Sequence, residues 1–311
     1  EPEFSQTPGV TKERLLEVYK RAYSVIRTAD PQTKIIGPST GNPYLPFMRA
    51  FLAYARDNNL RFDAISWHEF WSPELLPANI AYMNQLIAEH SLTTLSGTVP
   101  ELHINEYAFA SNHLIPGWSV GWLYYLNQNA KDLAWTSRSC WRLPTGTDWD
   151  DFDCLKWLDG LLTKSGQPSP LYWVHRAQAE ISGSSTLLTE STSPRTVALA
   201  AKDNEGSISL LVGRYSCGKT GNWCRGGVEY QVDDTAGPSI PVTLQLTNLG
   251  SVETMEAKIV RVPNQNLFGA LPQPIDEGTK TIPVANGIGT LTIPAFQDGD
   301  AYSITIKPKT T

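Results

Sequence analysis

The chain has 311 residues, 41% of them apolar and 18% charged, enough apolar material to fill more than one hydrophobic core. Its net charge of -6, with Lys and Arg scattered along the sequence, excludes the electrostatic footprint of a nucleic-acid-binding protein. No window of about 18 uninterrupted apolar residues occurs and no basic-then-apolar leader opens the chain, so we expect no membrane span and a soluble protein already processed or truncated.

In chain order, residues 11–29 place Leu15, Val18, Tyr19, Ala22 and Ile26 at spacings of three and four. That pattern predicts an amphipathic helix with these side chains inward and Thr11 as its cap. A short strand at 34–37 follows, then a helix near 46–58, a strand at 62–67, a helix near 75–91 and a strand at 101–106. A helix near 119–131, a strand near 133–141 and a helix near 170–181 complete this half. Alternating strands and helices imply parallel strands joined by crossover helices, in either an open sheet or a closed barrel. The strand ends read Pro38-Ser39-Thr40, Ser66-Trp67-His68-Glu69, Asn105-Glu106-Tyr107 and Ser139-Cys140-Trp141. All four are polar or aromatic, which favours the barrel, because barrel chemistry gathers at the C-terminal ends of the strands.

After Gly183 the texture changes to short β-branched runs separated by Gly, Pro, Asn and Asp: 196–201, 207–215, 241–247, 256–262, 289–293 and 301–306. These predict an antiparallel β-sandwich. The expected fold is therefore α/β plus all-β. The α/β part covers 1–182 and the sandwich 183–311, with Gly183-Ser184-Ser185 as a linker.

Four cysteines, Cys140, Cys154, Cys217 and Cys224, fall as two sequence-near pairs, neither with the C-x-x-C spacing of zinc or dithiol redox sites. Two local disulfides are the better reading, and a Cys140–Cys154 bridge would close a loop of about 15 residues, worth roughly 3 kcal/mol in the chain-entropy model. That points to an oxidising compartment and a secreted protein.

Retaining glycoside hydrolysis needs two carboxyl groups about 5–5.5 Å apart, one a nucleophile and the other an acid that later serves as base. Glu106 shares side-chain parity with Leu102 and Ile104, so it tops a strand face that is otherwise apolar. His68 is placed to bond substrate or steady a carboxylate, or to be satisfied by backbone. Glu69 is a spare carboxylate and a rival for either role. Trp71 and Trp141 are stacking rings or core residues, and His103, inside its strand, reads as structural. Gly37-Pro38-Ser39-Thr40-Gly41 matches the nucleophile elbow of serine esterases. However, an elbow runs straight into a helix, and Pro43 and Pro46 obstruct one. The five His residues show no close ligand spacing, so neither a metal nor any other cofactor is expected.

The segment Pro100-Glu101-Leu102-His103-Ile104-Asn105-Glu106-Tyr107 resembles the nucleophile strand of clan A glycoside hydrolases, particularly family 39. Other segments agree in order. Glu1-Pro2 resembles the end of the Asn-Glu-Pro acid/base motif, and Phe62 to His68 resembles the sixth strand with its terminal His. Cys140-Trp141 stands where the eighth-strand aromatic would be, and Gly160 to Pro170 resembles the approach to the last helix. The resemblance covers roughly 1–182. It implies a (β/α)8 TIM-type barrel of which this chain holds only the C-terminal half, with Glu106 as nucleophile and Glu1 as general acid/base. His68, Glu69, Trp71, Asn105, Tyr107 and Trp141 are the expected substrate-binding residues on a β-linked polysaccharide or oligosaccharide. The Asn that should precede the acid/base Glu is absent. The missing N-terminal half of the barrel, as a segment or a second chain, is then an expected partner, and this chain a fragment or processed subunit. A non-catalytic carbohydrate-binding protein with a degenerate barrel is the competing expectation.

Overall fold

A computed structural model describes residues 11–109, 112–140, 157–182, 184–216, 237–265 and 269–309. The chain divides into two compact units, Glu1–Phe109 with Tyr125–Ser139, and Ala110–Tyr124 with Cys140–Thr311.

The first unit alternates α1 (Lys12–Ala29), β1 (Ile36–Thr40), α2 (Pro46–Asp57), β2 (Ala64–Glu69), α3 (Leu76–Glu89), β3 (Glu101–Tyr107) and β4 (Trp135–Arg138). The four strands pair in parallel in the order β1-β2-β3-β4. Thr11 caps α1, its hydroxyl accepting the Arg14 N–H at 3.2 Å. At the other end of α1, Arg27 donates to the Thr33 carbonyl at 2.6 Å and to Asp63 Oδ2 at 2.7 Å, which ties the helix to the start of β2.

The inward face of α1 differs from the sequence expectation. Val18 is 55% exposed and Ala22 is also exposed, while Leu16 is buried. Ring packing explains the rotation, for Tyr19 lies 5.1 Å from the Phe51 ring and Tyr23 5.7 Å from Phe62. Two tyrosines bury more area than Val and Ala, so they set which stripe faces in. Helices α2 and α3 bury Phe47, Met48, Phe51 and Leu52, and Leu76, Ile80, Met83 and Leu86, at the expected helical spacing. Every residue of β2 is buried, as for an internal parallel strand covered on both faces.

The second unit contains α5 (Pro170–Ser182), β5 (Ser185–Leu187), β6 (Thr196–Lys202), β7 (Ile208–Arg214) and β8 (Ile240–Leu246). Then follow β9 (Thr254–Val262), β10 (Ile275–Ala285), β11 (Ile288–Phe296) and β12 (Ala301–Pro308). The strands form one antiparallel run, β5-β6-β7-β12-β9-β10-β11-β8. Strand β10 pairs with β9 along most of its length and with β11 at Val284 and Ala285, so the sheet passes from one layer to the next there. Leu210, Val212, Ile259, Ile304, Leu291, Ile293 and Phe296 are among the residues that fill the core. Parallel sheet and curled antiparallel sheet together fit a partial TIM barrel plus a β-sandwich.

Helix α5 packs on β5, β6, β7, β9 and β12. The contact division therefore does not fall at residue 182, and Ser185 of the expected linker already belongs to β5. Strand β10 escaped the sequence reading because it carries Pro283 and a register shift at Gly278, which has φ 86°. Its one buried residue, Ile282, leaves no apolar alternation to detect.

Helix α4 (Pro116–Gln128) begins within this unit and approaches β7 through glycines. The Gly117 N–H donates to the Gly299 carbonyl at 2.6 Å, and the ring of Trp118 lies 4.7 Å from that of Tyr215. A Cβ on Gly121 would come within 2.5 Å of the Tyr215 ring, and one on Gly117 would drive into the Arg214 carbonyl oxygen. Only glycine permits backbones this close.

Candidate active site

Three parallel strands end together, and their last residues form the site. Strand β3 pairs Ile104 with Trp67, but the next pairing is Glu106 with His68, so Asn105 is an extra residue in the ladder. Such a bulge re-aims the side chain that follows it. With unbroken alternation Glu106 would share the face of Leu102 and Ile104, which pair with Ile65 and Trp67. The bulge moves it instead to the face of Ser66 and His68. The parity argued from the sequence is thus corrected: Glu106 leaves the apolar face of its strand.

Glu106 Oε2 lies 3.9 Å from His68 Nδ1; the His68 side chain is 6% exposed and that of Glu106 43%. The carboxylate is open to solvent while its neighbour is buried. His68 also meets the Phe70 ring edge-on at 5.1 Å. Asn105 donates from Nδ2 to Ser39 Oγ at 2.6 Å, and Ser39 Oγ lies 3.1 Å from Ser66 Oγ. Ser39 sits at a second bulge, between Pro38 and Thr40, with φ 58°, a left-handed conformation that non-glycine residues adopt at a cost of about 1 kcal/mol. Its backbone N–H donates to Ser66 Oγ at 3.2 Å, so hydrogen bonds hold the strained residue in place. After Ser39 the chain turns through 41–45 before α2 begins at Pro46, so the strand does not run directly into a helix as an esterase elbow must.

Glu69 lies elsewhere. It is buried on the opposite face of β2 from His68, where it accepts from Trp67 Nε1 at 2.5 Å and from Asn79 Nδ2 at 3.0 and 2.9 Å. Burial pushes its carboxyl up to about 7, against hydrogen bonds from Trp67 and Asn79 that act the other way. Glu69 therefore does not share the strand face that carries His68 and Glu106. A folded-state value raised above the usual 4.5 gives stability that is full at low pH and lost as pH rises toward about 7. We expect wild type to lose roughly 3 kcal/mol of unfolding free energy more than Glu69→Gln between pH 5 and pH 8 in urea titrations. Equal pH slopes for the two would contradict this assignment.

Tyr107 is buried, and its carbonyl accepts from the Ser139 hydroxyl at 2.8 Å and the Ser139 N–H at 3.0 Å, closing β3 onto β4. Trp71 is half-buried beside Tyr44. His103 Nε2 meets Glu101 Oε2 at 3.0 Å. Cys140 is not a free thiol but is disulfide-bonded. Glu1, Trp141, Cys154, Cys217 and Cys224 lie outside the described residues. Among the described residues, no group of three or more His, Cys, Asp or Glu is placed to hold a metal ion, and no helix is long and apolar enough to cross a membrane.

Ser66, Asn79 and Tyr44 were not singled out from the sequence. Ser66 was detectable, because it has the parity of His68. Asn79 was detectable as the polar residue in the inward stripe of α3.

Comparison with known proteins agrees with the strand motifs. No curated protein matches the sequence. Residues 1–119 match the model of glycosyl hydrolases family 39. The fold is similar to N2152 from Neocallimastix frontalis, with TM-score 0.73 and 17% identity over 99% of this chain and 69% of that one. A glucosidase from Croceicoccus marinus gives 0.64 and 14% over 100% and 68%. The GH39 enzyme from Xanthomonas axonopodis pv. citri gives 0.63 and 14% over 99% and 67%. The chain thus spans about two-thirds of the length of each. The family model supports a glycosidase, and identities this low speak for the fold alone. The recognition made from Pro100 to Tyr107 therefore stands: residues 1–119 carry the sequence pattern of glycosyl hydrolases family 39.

Proposed function

We propose that this protein is a retaining glycosidase acting on β-linked polysaccharide or oligosaccharide, with Glu106 as nucleophile. The observation that carries the reading is the bulge at Asn105, which turns a solvent-open carboxylate onto the face of His68 at the C-terminal end of β3. In the reaction, Glu106 attacks the anomeric carbon and forms an ester as the bond to the leaving oxygen breaks. The leaving oxygen takes its proton from Glu1. Water then attacks the same carbon, gives a proton to Glu1 and releases Glu106. His68 steadies the nucleophile. Asn105, anchored through Ser39 and Ser66, holds the bulge that aims it. Hydrolysis of aryl β-glycosides by wild type and by Glu106→Gln tests the reading: activity must collapse in the variant while it remains folded.

The reading extends to a secreted protein with its four cysteines paired. Alkylation under denaturing, non-reducing conditions is expected to add no mass to the chain, and four alkyl groups after reduction. Labelling before reduction would contradict the pairing.

A further inference from the structure

We infer that Tyr44 and Trp71 form a sugar-stacking platform beside the candidate site, and that buried Glu69 and Asn79 are the positioning residues that orient it. The inference rests on the glycosidase reading only for its ligand class. Tyr44 lies in the turn after β1 and Trp71 just after β2, so the parallel sheet brings both to the end where Glu106 lies. The two rings are nearly parallel, at 10° with centroids 6.1 Å apart, a stepped pair and not a face-to-face stack. Tyr44 is 42% exposed. An exposed Tyr whose ring is held parallel to a half-buried Trp presents a flat apolar surface, which matches the apolar face of a sugar ring.

The surface is held from below. Tyr44 donates its hydroxyl to Asn79 Oδ1 at 2.8 Å, and Asn79 donates from Nδ2 to both oxygens of Glu69. An amide can present its oxygen to Tyr44 only if its NH2 points the other way, and the Glu69 carboxylate, acceptor-only once ionised above about pH 7, enforces that orientation there. Trp67 supplies a further donor to Glu69 and so fixes the carboxylate. Tyr82 also meets Tyr44, at 4.5 Å with the ring planes 32° apart, and is itself bonded by Arg49 Nε at 3.1 Å. A fully buried carboxylate that takes three hydrogen bonds and reaches the surface through one asparagine is an arrangement that positions a ring. It is not one that reacts.

The test is calorimetric titration of the full chain carrying Glu106→Gln, so that ligand is not consumed, with xylohexaose and cellohexaose as probes. Tyr44→Ala and Trp71→Ala are each expected to weaken binding of at least one probe about tenfold, the loss of one stacked ring. Tyr44→Phe, at an exposed position that tolerates the change, and Asn79→Ala are each expected to weaken it about threefold. The double variant should be no weaker than either, because each single change already breaks the Tyr44–Asn79 bond. Unchanged affinity in Tyr44→Ala and Trp71→Ala overturns the platform, as does failure of the parent chain to bind either hexasaccharide. Additive losses for Tyr44→Phe and Asn79→Ala overturn the positioning role. The nucleophile assignment fails separately, if Glu106→Gln keeps full hydrolysis while the binding losses persist.

Discussion

Glu106→Gln is expected to lower kcat/KM for aryl β-glycosides by on the order of 10³-fold or more, at least 4 kcal/mol of transition-state stabilisation. The amide keeps the size and much of the hydrogen bonding of the carboxylate but cannot form the glycosyl ester. Folding should be unaffected, because the side chain is 43% exposed and the bulge that aims it is made by backbone. A melting curve equal to wild type, together with lost turnover, is the predicted pair of results. Sugar binding should persist in the variant. A non-catalytic carbohydrate-binding protein would instead show no turnover to lose, and binding alone.

The second large effect is on stability. Gly117→Ala is expected to cost about 3 kcal/mol, because the added Cβ meets a backbone carbonyl, that of Arg214, which cannot swing aside as a side-chain tip could. For a chain of 311 residues that corresponds to a fall in Tm of roughly 4–5 °C by calorimetry. The Gly117 N–H to Gly299 hydrogen bond would be strained in the same variant. The neighbouring contacts are of the same kind: Val120 lies against Gly213, and Gly121 against the buried Tyr215 ring. A Tm within a degree of wild type would show that the helix can shift and that the packing is looser than described.

What could be read from residues alone was whatever periodicity or capping chemistry marks locally. Thr11 capped its helix as expected, and the ends of α2, α3 and β3 came out within two residues of expectation. The strand ends were recognisable because polar residues there interrupt apolar runs. The orientation of Glu106 was not. Parity counts residues along one strand, whereas a bulge is a property of two, visible only when Ile104 and Glu106 are paired with Trp67 and His68. The partners of Glu69 were hidden for a different reason. It ends a strand like His68, but alternation sends it to the helix side, where Asn79 completes its hydrogen bonds. Helical texture says nothing about which sheet a helix covers, and α5 covers the antiparallel one. The rotation of α1 likewise reflects partners that a helical wheel omits, the rings of Phe51 and Phe62.

The central claim is that Glu106 becomes covalently linked to the sugar. Incubation with 2-deoxy-2-fluoro-β-glycosyl fluorides of xylose and glucose, followed by proteolysis and mass spectrometry, tests it directly. A fluoroglycosyl adduct is expected on the peptide containing Glu106, with no adduct in Glu106→Gln. An adduct on another carboxylate, or hydrolysis that yields product of inverted anomeric configuration, would contradict it.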